Sequence, residues 1–260
     1  MRCVLRGITV QTFGATLPVV ERFVSINGEG LRAGRLAAFI RMAGCNLTCS
    51  WCDTQWANVK DCPHENLTVS DLVSWVSESD VSCVTLTGGE PVLQPLLGDL
   101  IKGLALCDTW GVFQYDTQEA ARQKRVIEIE TNGSLDLSAL DTLRRSLTAQ
   151  LRIPTTIAFT VDCKLPASGM FDEMLTSNYA LLTMQDAVKF VVANKQDLEV
   201  ALNQIQTYEL SSKSEVFLSP VAGSIDPADI VVFMQTHALS TVRLQLQLHK
   251  IIWPHVDKGV

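Results

Sequence analysis

The chain has 260 residues, 47% of them apolar and 19% charged, with a net charge of −7 at pH 7. That length can bury a full core and that apolar fraction marks a folded chain, while the acidic balance excludes a general binder of nucleic-acid backbones, which presents a basic face. No stretch approaches the ~18 apolar residues of a membrane span, Thr9, Gln11, Thr12 and Gly14 interrupt any leader-like run, and eight cysteines are too few for a disulfide scaffold, so a cytoplasmic chain with free thiols is expected.

Residues 19–26 read as a strand entering Asn27-Gly28-Glu29-Gly30, whose glycines permit a tight turn and close approach of backbone to a ligand. A second apolar strand, residues 36–42, runs directly into a cysteine-rich loop at 45–52. Residues 68–78 carry a helical stripe of Leu72, Val73 and Val76, opened by Thr68 and Asp71 as a capping box. The buried strand 81–86 ends in Thr87-Gly88-Gly89-Glu90-Pro91, and a helix follows over 95–106. A strand at 126–130 leads to Thr131-Asn132-Gly133-Ser134 and a helix at 137–147, and a strand at 157–161 ends at Asp162-Cys163-Lys164. Strands at 187–192 and 215–218 flank a helix near 197–205, and a last helix spans 227–237. Val242, Leu244, Leu246 and Leu248 alternate with Arg243, Gln245 and Gln247 as a final strand. Residues 58–66 and 114–125 read as loops or insertions. Strands alternating with helices imply an α/β fold on a parallel sheet, open or curled toward a barrel, with ligands at the carboxyl ends of the strands. The Gly-rich and polar sequences fall at several of those ends, which argues for one active face.

Cys45, Cys49 and Cys52 form a Cys-x3-Cys-x2-Cys run. A structural zinc site closes its shell with four ligands, so Cys62 or His64 would have to complete one; an iron–sulfur cluster on three thiolates keeps one iron open. Gly88-Gly89-Glu90 offers close backbone approach and a carboxylate able to accept from an ammonium group, although a Gly-Gly at a strand end is by itself only a turn. Cys3, Cys83 and Cys107 lie in apolar surroundings and read as small core hydrophobes. His237, His249 and His255 have no spacing that suggests a metal.

The cysteine spacing resembles the cluster loop of radical S-adenosylmethionine (SAM) enzymes, with the Gly-Gly-Glu motif about 40 residues on. That resemblance implies a 4Fe–4S cluster on Cys45, Cys49 and Cys52, with SAM at the open iron. It groups Trp51, Asp53, Gly88, Gly89, Glu90, Asn132, Asp162, Cys163 and Lys164 around SAM, Trp51 as a face for the adenine. Within that superfamily, Ser25-Ile26-Asn27-Gly28-Glu29-Gly30, Phe39-Ile40-Arg41-Met42-Ala43-Gly44-Cys45-Asn46-Leu47, Trp51-Cys52-Asp53-Thr54, Thr87-Gly88-Gly89-Glu90-Pro91, Glu130-Thr131-Asn132-Gly133 and Gln247-Leu248-His249-Lys250 are similar to the 7-carboxy-7-deazaguanine synthase family of queuosine biosynthesis.

The family resemblance implies a lyase that contracts the ring of a carboxylated tetrahydropterin. Ile26, Asn27, Gly28, Glu29, Arg41 and Thr87 would contact the substrate, Arg41 gripping its carboxylate with a planar fork, and Thr54 would ligate Mg²⁺. It further implies a partial, distorted β/α barrel forming a single domain over residues 1–260, with a short N-terminal extension and an insertion near 112–125. A homodimer and an electron donor such as flavodoxin complete that picture. Asn27 departs from the Gln common in the family, and the tail after Lys250 matches loosely. Two alternatives share parts of the pattern: an activase of a glycyl-radical enzyme, and a zinc- or cluster-binding regulatory module with a fourth protein ligand.

Overall fold

Period-two alternation divides the strands between two faces, and this division organises the whole molecule. The computed structural model describes residues 14–59, 61–111, 125–256 and 258–260. Its strands are β1 (Leu17–Ile26), β2 (Leu36–Met42), β3 (Glu65–Leu67), β4 (Cys83–Gly88), β5 (Arg125–Thr131), β6 (Thr155–Cys163), β7 (Ala187–Val192), β8 (Glu215–Pro220) and β9 (Val242–Leu244). They form one nine-stranded sheet in the order β3-β1-β2-β4-β5-β6-β7-β8-β9. β1 is antiparallel to both of its neighbours, and every pair from β2 to β9 is parallel. Parallel strands that follow chain order in space are joined by crossovers of one hand, which place the connecting helices on one face and curl the sheet. The order does not close on itself, so the architecture is a partial β/α barrel.

The helices among the described residues are α1 (Gln55–Asn58), α2 (Val69–Glu78), α3 (Leu97–Leu106), α4 (Ser138–Thr148), α5 (Lys195–Thr207), α6 (Pro227–Thr236) and α7 (Leu248–Ile252). On the helical face Ile40, Leu86, Ile129, Phe159, Phe190 and Leu218 join Val73, Leu100, Leu147, Leu198 and Ile230 in one buried cluster. The intervening residues of the same strands face the other way and carry Arg41, Thr87, Glu130, Asp162 and Lys189. Local signals agree with this packing. Thr68 Oγ1 accepts from Asp71 N at 3.1 Å while Thr68 N donates to the Asp71 carboxylate at 3.0 Å, the reciprocal box that starts α2. Pro227 opens α6 behind an Asp226 cap.

Three features that the sequence reading did not give have physical causes. The final strand stops at Leu244 because Gln245 turns inward: its Oε1 accepts from Gly30 N at 2.8 Å and its Nε2 donates to Gly30 O at 3.2 Å. Leu248 N then donates to Gly28 O at 3.0 Å, so residues 245–248 bridge from the β9 edge to the β1–β2 turn, and α7 follows. The loop expected at 58–66 contains most of β3, which pairs along β1. Between β6 and β7 the chain makes 3-10 turns at Pro166–Ser168, Phe171–Glu173 and Thr176–Leu181, too short to leave a hydrophobic period. The insertion expected near 112–125 lies outside the described residues except Arg125, the first residue of β5, and the expected N-terminal extension falls outside them up to residue 13.

Candidate active site

The polar inner face of the sheet and the loops at its carboxyl edge enclose a cavity of about 570 Å³. Strand register sets its wall: Arg41 lies beside Thr87, Glu130 beside Thr160, and Asp162 beside Lys189. Of the residues that the sequence grouped on the substrate side, Ile26, Gly28, Glu29, Arg41 and Thr87 line the cavity. Trp51, Asp53, Gly88, Gly89, Asn132, Asp162 and Lys164 line it from the cofactor side, together with Cys45, Cys49, Cys52 and Thr54.

Three residues of those groups are turned elsewhere. Asn27 is buried beneath the turn, accepting from Thr85 Oγ1 at 2.8 Å and facing the Cys83 sulfur. Cys163 points to the helical face, where Tyr179 donates to its sulfur at 2.9 Å, as the outward parity of its position on β6 requires. The Glu90 carboxylate accepts from Val92 N, Thr131 Oγ1 and Asn132 N at 3.0, 2.8 and 2.6 Å. It ties the β4 end to the β5 end. Burial raises its pKa against those three donors.

The cysteine loop is held by the surrounding framework. Gly89 N donates to Met42 O at 3.1 Å and Glu90 N to Gly44 O at 2.8 Å, so the Gly-Gly turn lies against the chain entering the loop. A Cβ at Gly89 would collide with the Gly44 carbonyl, which is why this position requires glycine. On the far side Ser50 N donates to Ser168 O and Ser50 Oγ to Ala167 O. Amide groups face two of the thiols: Asn132 Nδ2 lies 3.6 Å from Cys45 Sγ and Asn58 Nδ2 lies 3.4 Å from Cys52 Sγ. Burial pushes the Cys45 and Cys49 thiols up, so they ionise readily only against a cationic partner such as iron.

This donor set fits a cluster better than a single ion. Among the described residues no three His, Cys, Asp or Glu side chains converge on one ion position, whereas the irons of a 4Fe–4S cluster lie apart and take one thiolate each. Cys62, a candidate fourth zinc ligand, is buried with its sulfur against Ala57 O, and His64 Nδ1 meets Cys62 O at 2.8 Å.

The floor of the cavity is charged. Lys189 Nζ lies 3.1 Å from Glu29 Oε2 and 3.3 Å from Asp162 Oδ2, and Lys164 Nζ lies 2.9 Å from the same Asp162 oxygen. Burial would raise Asp162, but these two lysines outweigh it and hold the carboxyl below its ordinary range. Glu130 goes the other way: burial raises it despite Lys189 and a hydrogen bond from Thr87. Arg41 donates from Nε to Glu21 at 2.7 Å.

Sequence reasoning missed Lys189, and it gave His249 no role although the residue lies in the 247–250 stretch that carries the family resemblance. Lys189 is the charged residue in the otherwise apolar β7, the same signal that singles out Arg41 in β2. His249 follows no metal spacing, yet its ring packs on Gly28 so closely that a Cβ there would overlap it. Trp253, Pro254 and Val256 cover the cavity beyond it.

The radical SAM superfamily model matches residues 39–161, the span from β2 to β6 that contains the cysteine loop and the Gly-Gly-Glu turn. A 7-carboxy-7-deazaguanine synthase of Clostridium acetobutylicum is 44% identical over 93% of this chain and 98% of its own length. The synthases of Methanospirillum hungatei and Chlorobaculum tepidum are 34% and 31% identical, over 91% and 95% of this chain and 85% and 98% of theirs. Among solved structures, QueE from Escherichia coli has the same fold, with a TM-score of 0.60 at 21% identity over 89% of this chain and 94% of that one.

Proposed function

This chain belongs to the 7-carboxy-7-deazaguanine synthase family, and from that membership we propose the residue roles by which it contracts 6-carboxy-5,6,7,8-tetrahydropterin to 7-carboxy-7-deazaguanine with release of ammonia, as a radical SAM lyase of queuosine biosynthesis. One observation carries the assignment of roles: a single cavity is lined by three thiols on one side and by Glu29, Arg41 and Thr87 on another. The glycyl-radical activase alternative gains no support, since the relatives named above are synthases.

Bound there, the cluster and SAM supply one-electron radical chemistry, and the chain supplies orientation and electrostatics. Cys45, Cys49 and Cys52 hold the cluster, with the Asn132 and Asn58 amides donating toward two of the sulfurs. Gly88 and Gly89, held against the Met42 and Gly44 backbone, line the part of the cavity that would take the methionine part of SAM, while Asp162 and Lys164 present opposite charges to its polar groups. Trp51 offers an aromatic face to the adenine. On the opposite wall, the Glu21 contact fixes the Arg41 guanidinium plane and leaves its terminal nitrogens to bind the substrate carboxylate. Glu29 accepts from N–H groups of the pterin. His249, Trp253 and Val256 keep bulk water from the reacting centre.

Mg²⁺, an electron donor such as flavodoxin, a homodimeric state and a single-domain chain belong to the same proposal. Thr54 lines the cavity with its hydroxyl 3.6 Å from Cys52 Sγ and follows the half-exposed Asp53, and a hard cation takes few protein oxygens when substrate oxygens complete its shell. Thr54→Ala is expected to weaken the Mg²⁺ response of turnover, and an unchanged response removes that role.

Anaerobic reconstitution, reduction and incubation with SAM and 6-carboxytetrahydropterin should yield a deazapurine detected by its ultraviolet spectrum, together with ammonia. A cluster-loaded protein that cleaves SAM and never forms that product contradicts the function.

A further inference from the structure

Lys189 stands between the two halves of the cavity. Its side chain is 12% exposed and rises from the inner face of β7, with Glu29 of the β1–β2 turn on one side and Asp162 of β6 on the other. Glu130 of β5 also faces it. Burial would lower its pKa, but the three acids, Asp162 foremost, raise it above the ordinary lysine value, so the group stays a cation.

The two flanks of Lys189 differ in what else they have. Asp162 keeps a second cation, Lys164, at 2.9 Å. Besides Lys189, Glu29 has the neutral donors Gln247 Nε2 and Ser219 Oγ, both at 3.2 Å, and lies near the His249 ring, which burial pushes below its ordinary pKa and so toward the neutral form. Losing the lysine therefore leaves the SAM-side carboxylate paired with a lysine and the pterin-side carboxylate with no cation but the part-buried His249 ring near it, in a half-dry pocket. An acid stripped of its partner in such a place takes up a proton, turns away or admits water.

From this asymmetry we propose that Lys189 is a positioning residue for the pterin half of the site, holding the Glu29 carboxylate aimed into the cavity while contributing little to SAM binding. The inference rests on the proposed function, which makes Glu29 a substrate contact.

The test uses anaerobically reconstituted parent protein, Lys189→Met and Lys189→Arg, with Kd measured separately for 6-carboxytetrahydropterin and for SAM, and KM and kcat for turnover. Lys189→Met is expected to raise the pterin Kd at least about tenfold and the SAM Kd less than about threefold, with KM for the pterin following its Kd. Lys189→Arg, which keeps the charge, should recover most of the lost pterin affinity. An equal loss for both ligands, an unchanged pterin Kd, or an arginine variant as poor as the methionine one would each overturn the proposal. A parent protein that binds no pterin overturns the proposed function instead, and that failure is recognised by its appearance without any substitution.

Discussion

The two faces of strands β2 and β4–β8 are made by alternate residues of the same segments, yet they are built to opposite rules. Toward the helices, Ile40, Leu86, Ile129, Phe159 and Leu218 form a continuous apolar surface that any well-packed hydrophobe of similar volume would satisfy. Toward the cavity, Arg41, Thr87, Glu130, Asp162 and Lys189 place charge and hydroxyls where burial penalises them. A chain selected for stability alone would not put four ionisable groups on one buried sheet face. One face holds the barrel, and the other spends part of that stability on a site.

The largest expected effect breaks the site without touching the apolar face. Changing any one of Cys45, Cys49 or Cys52 to Ala should abolish the visible absorbance of the reconstituted cluster, whereas Cys62→Ala should keep it because that sulfur turns to Ala57 O. Cluster loss in Cys62→Ala would argue for a four-ligand centre.

A smaller effect separates inner-face charge from fold stability. Burial pushes Glu128 up to about 7, with Glu130 adding to the rise and the Thr160 hydrogen bond opposing it. The folded state therefore keeps a proton that the unfolded chain releases near the ordinary value of 4.5, so stability falls as pH rises from that value to about 7. Glu128→Gln should flatten this slope and gain about 2–3 kcal/mol at pH 8, read by denaturant unfolding across that range. A slope that survives the substitution assigns it to other groups.

The smallest effect lies on the helical side: Thr68→Ala removes the reciprocal cap of α2 and should cost about 1 kcal/mol without changing ligand affinity. A change in pterin Kd in that variant would blur the separation of the faces.

Much of this division was legible in the sequence. Strand β2 and strand β7 fall at the expected residues, and the Thr68–Asp71 box starts α2 where its spacing says it should. The cysteine loop, the Gly-Gly turn and Arg41 all reach one cavity because parallel strands in chain order gather their carboxyl ends. Side-chain direction in the loops was not legible. Glu90 and Asn27 sit in the expected motifs but spend their polar atoms on Asn132 N and Thr85 Oγ1, since a motif gives position along the chain and not the partner nearest in space. Gln245 was hidden by a period-two pattern that continued past the end of the sheet, and its partner Gly30 lies 215 residues away. Lys189 was visible as a charge in an apolar strand, and only the pairing of β6 with β7 reveals that it meets Asp162.

Adjacent residues of β2 give the most direct test that one strand serves two ends. Ile40 is fully buried on the helical face and Arg41 faces the cavity. Melting temperature and pterin Kd measured on Ile40→Ala and Arg41→Met should move separately. Ile40→Ala should lose about 2–5 kcal/mol, a fall of roughly 5–15 °C, with the Kd of the folded protein unchanged. Arg41→Met leaves the part-buried Glu21 carboxylate unpaired and so should lower the melting temperature somewhat, by less than Ile40→Ala does, while its pterin Kd rises at least about tenfold. If Ile40→Ala weakens pterin binding as much as Arg41→Met does, or if Arg41→Met binds the pterin as the parent does, the separation of scaffold face from substrate face is contradicted.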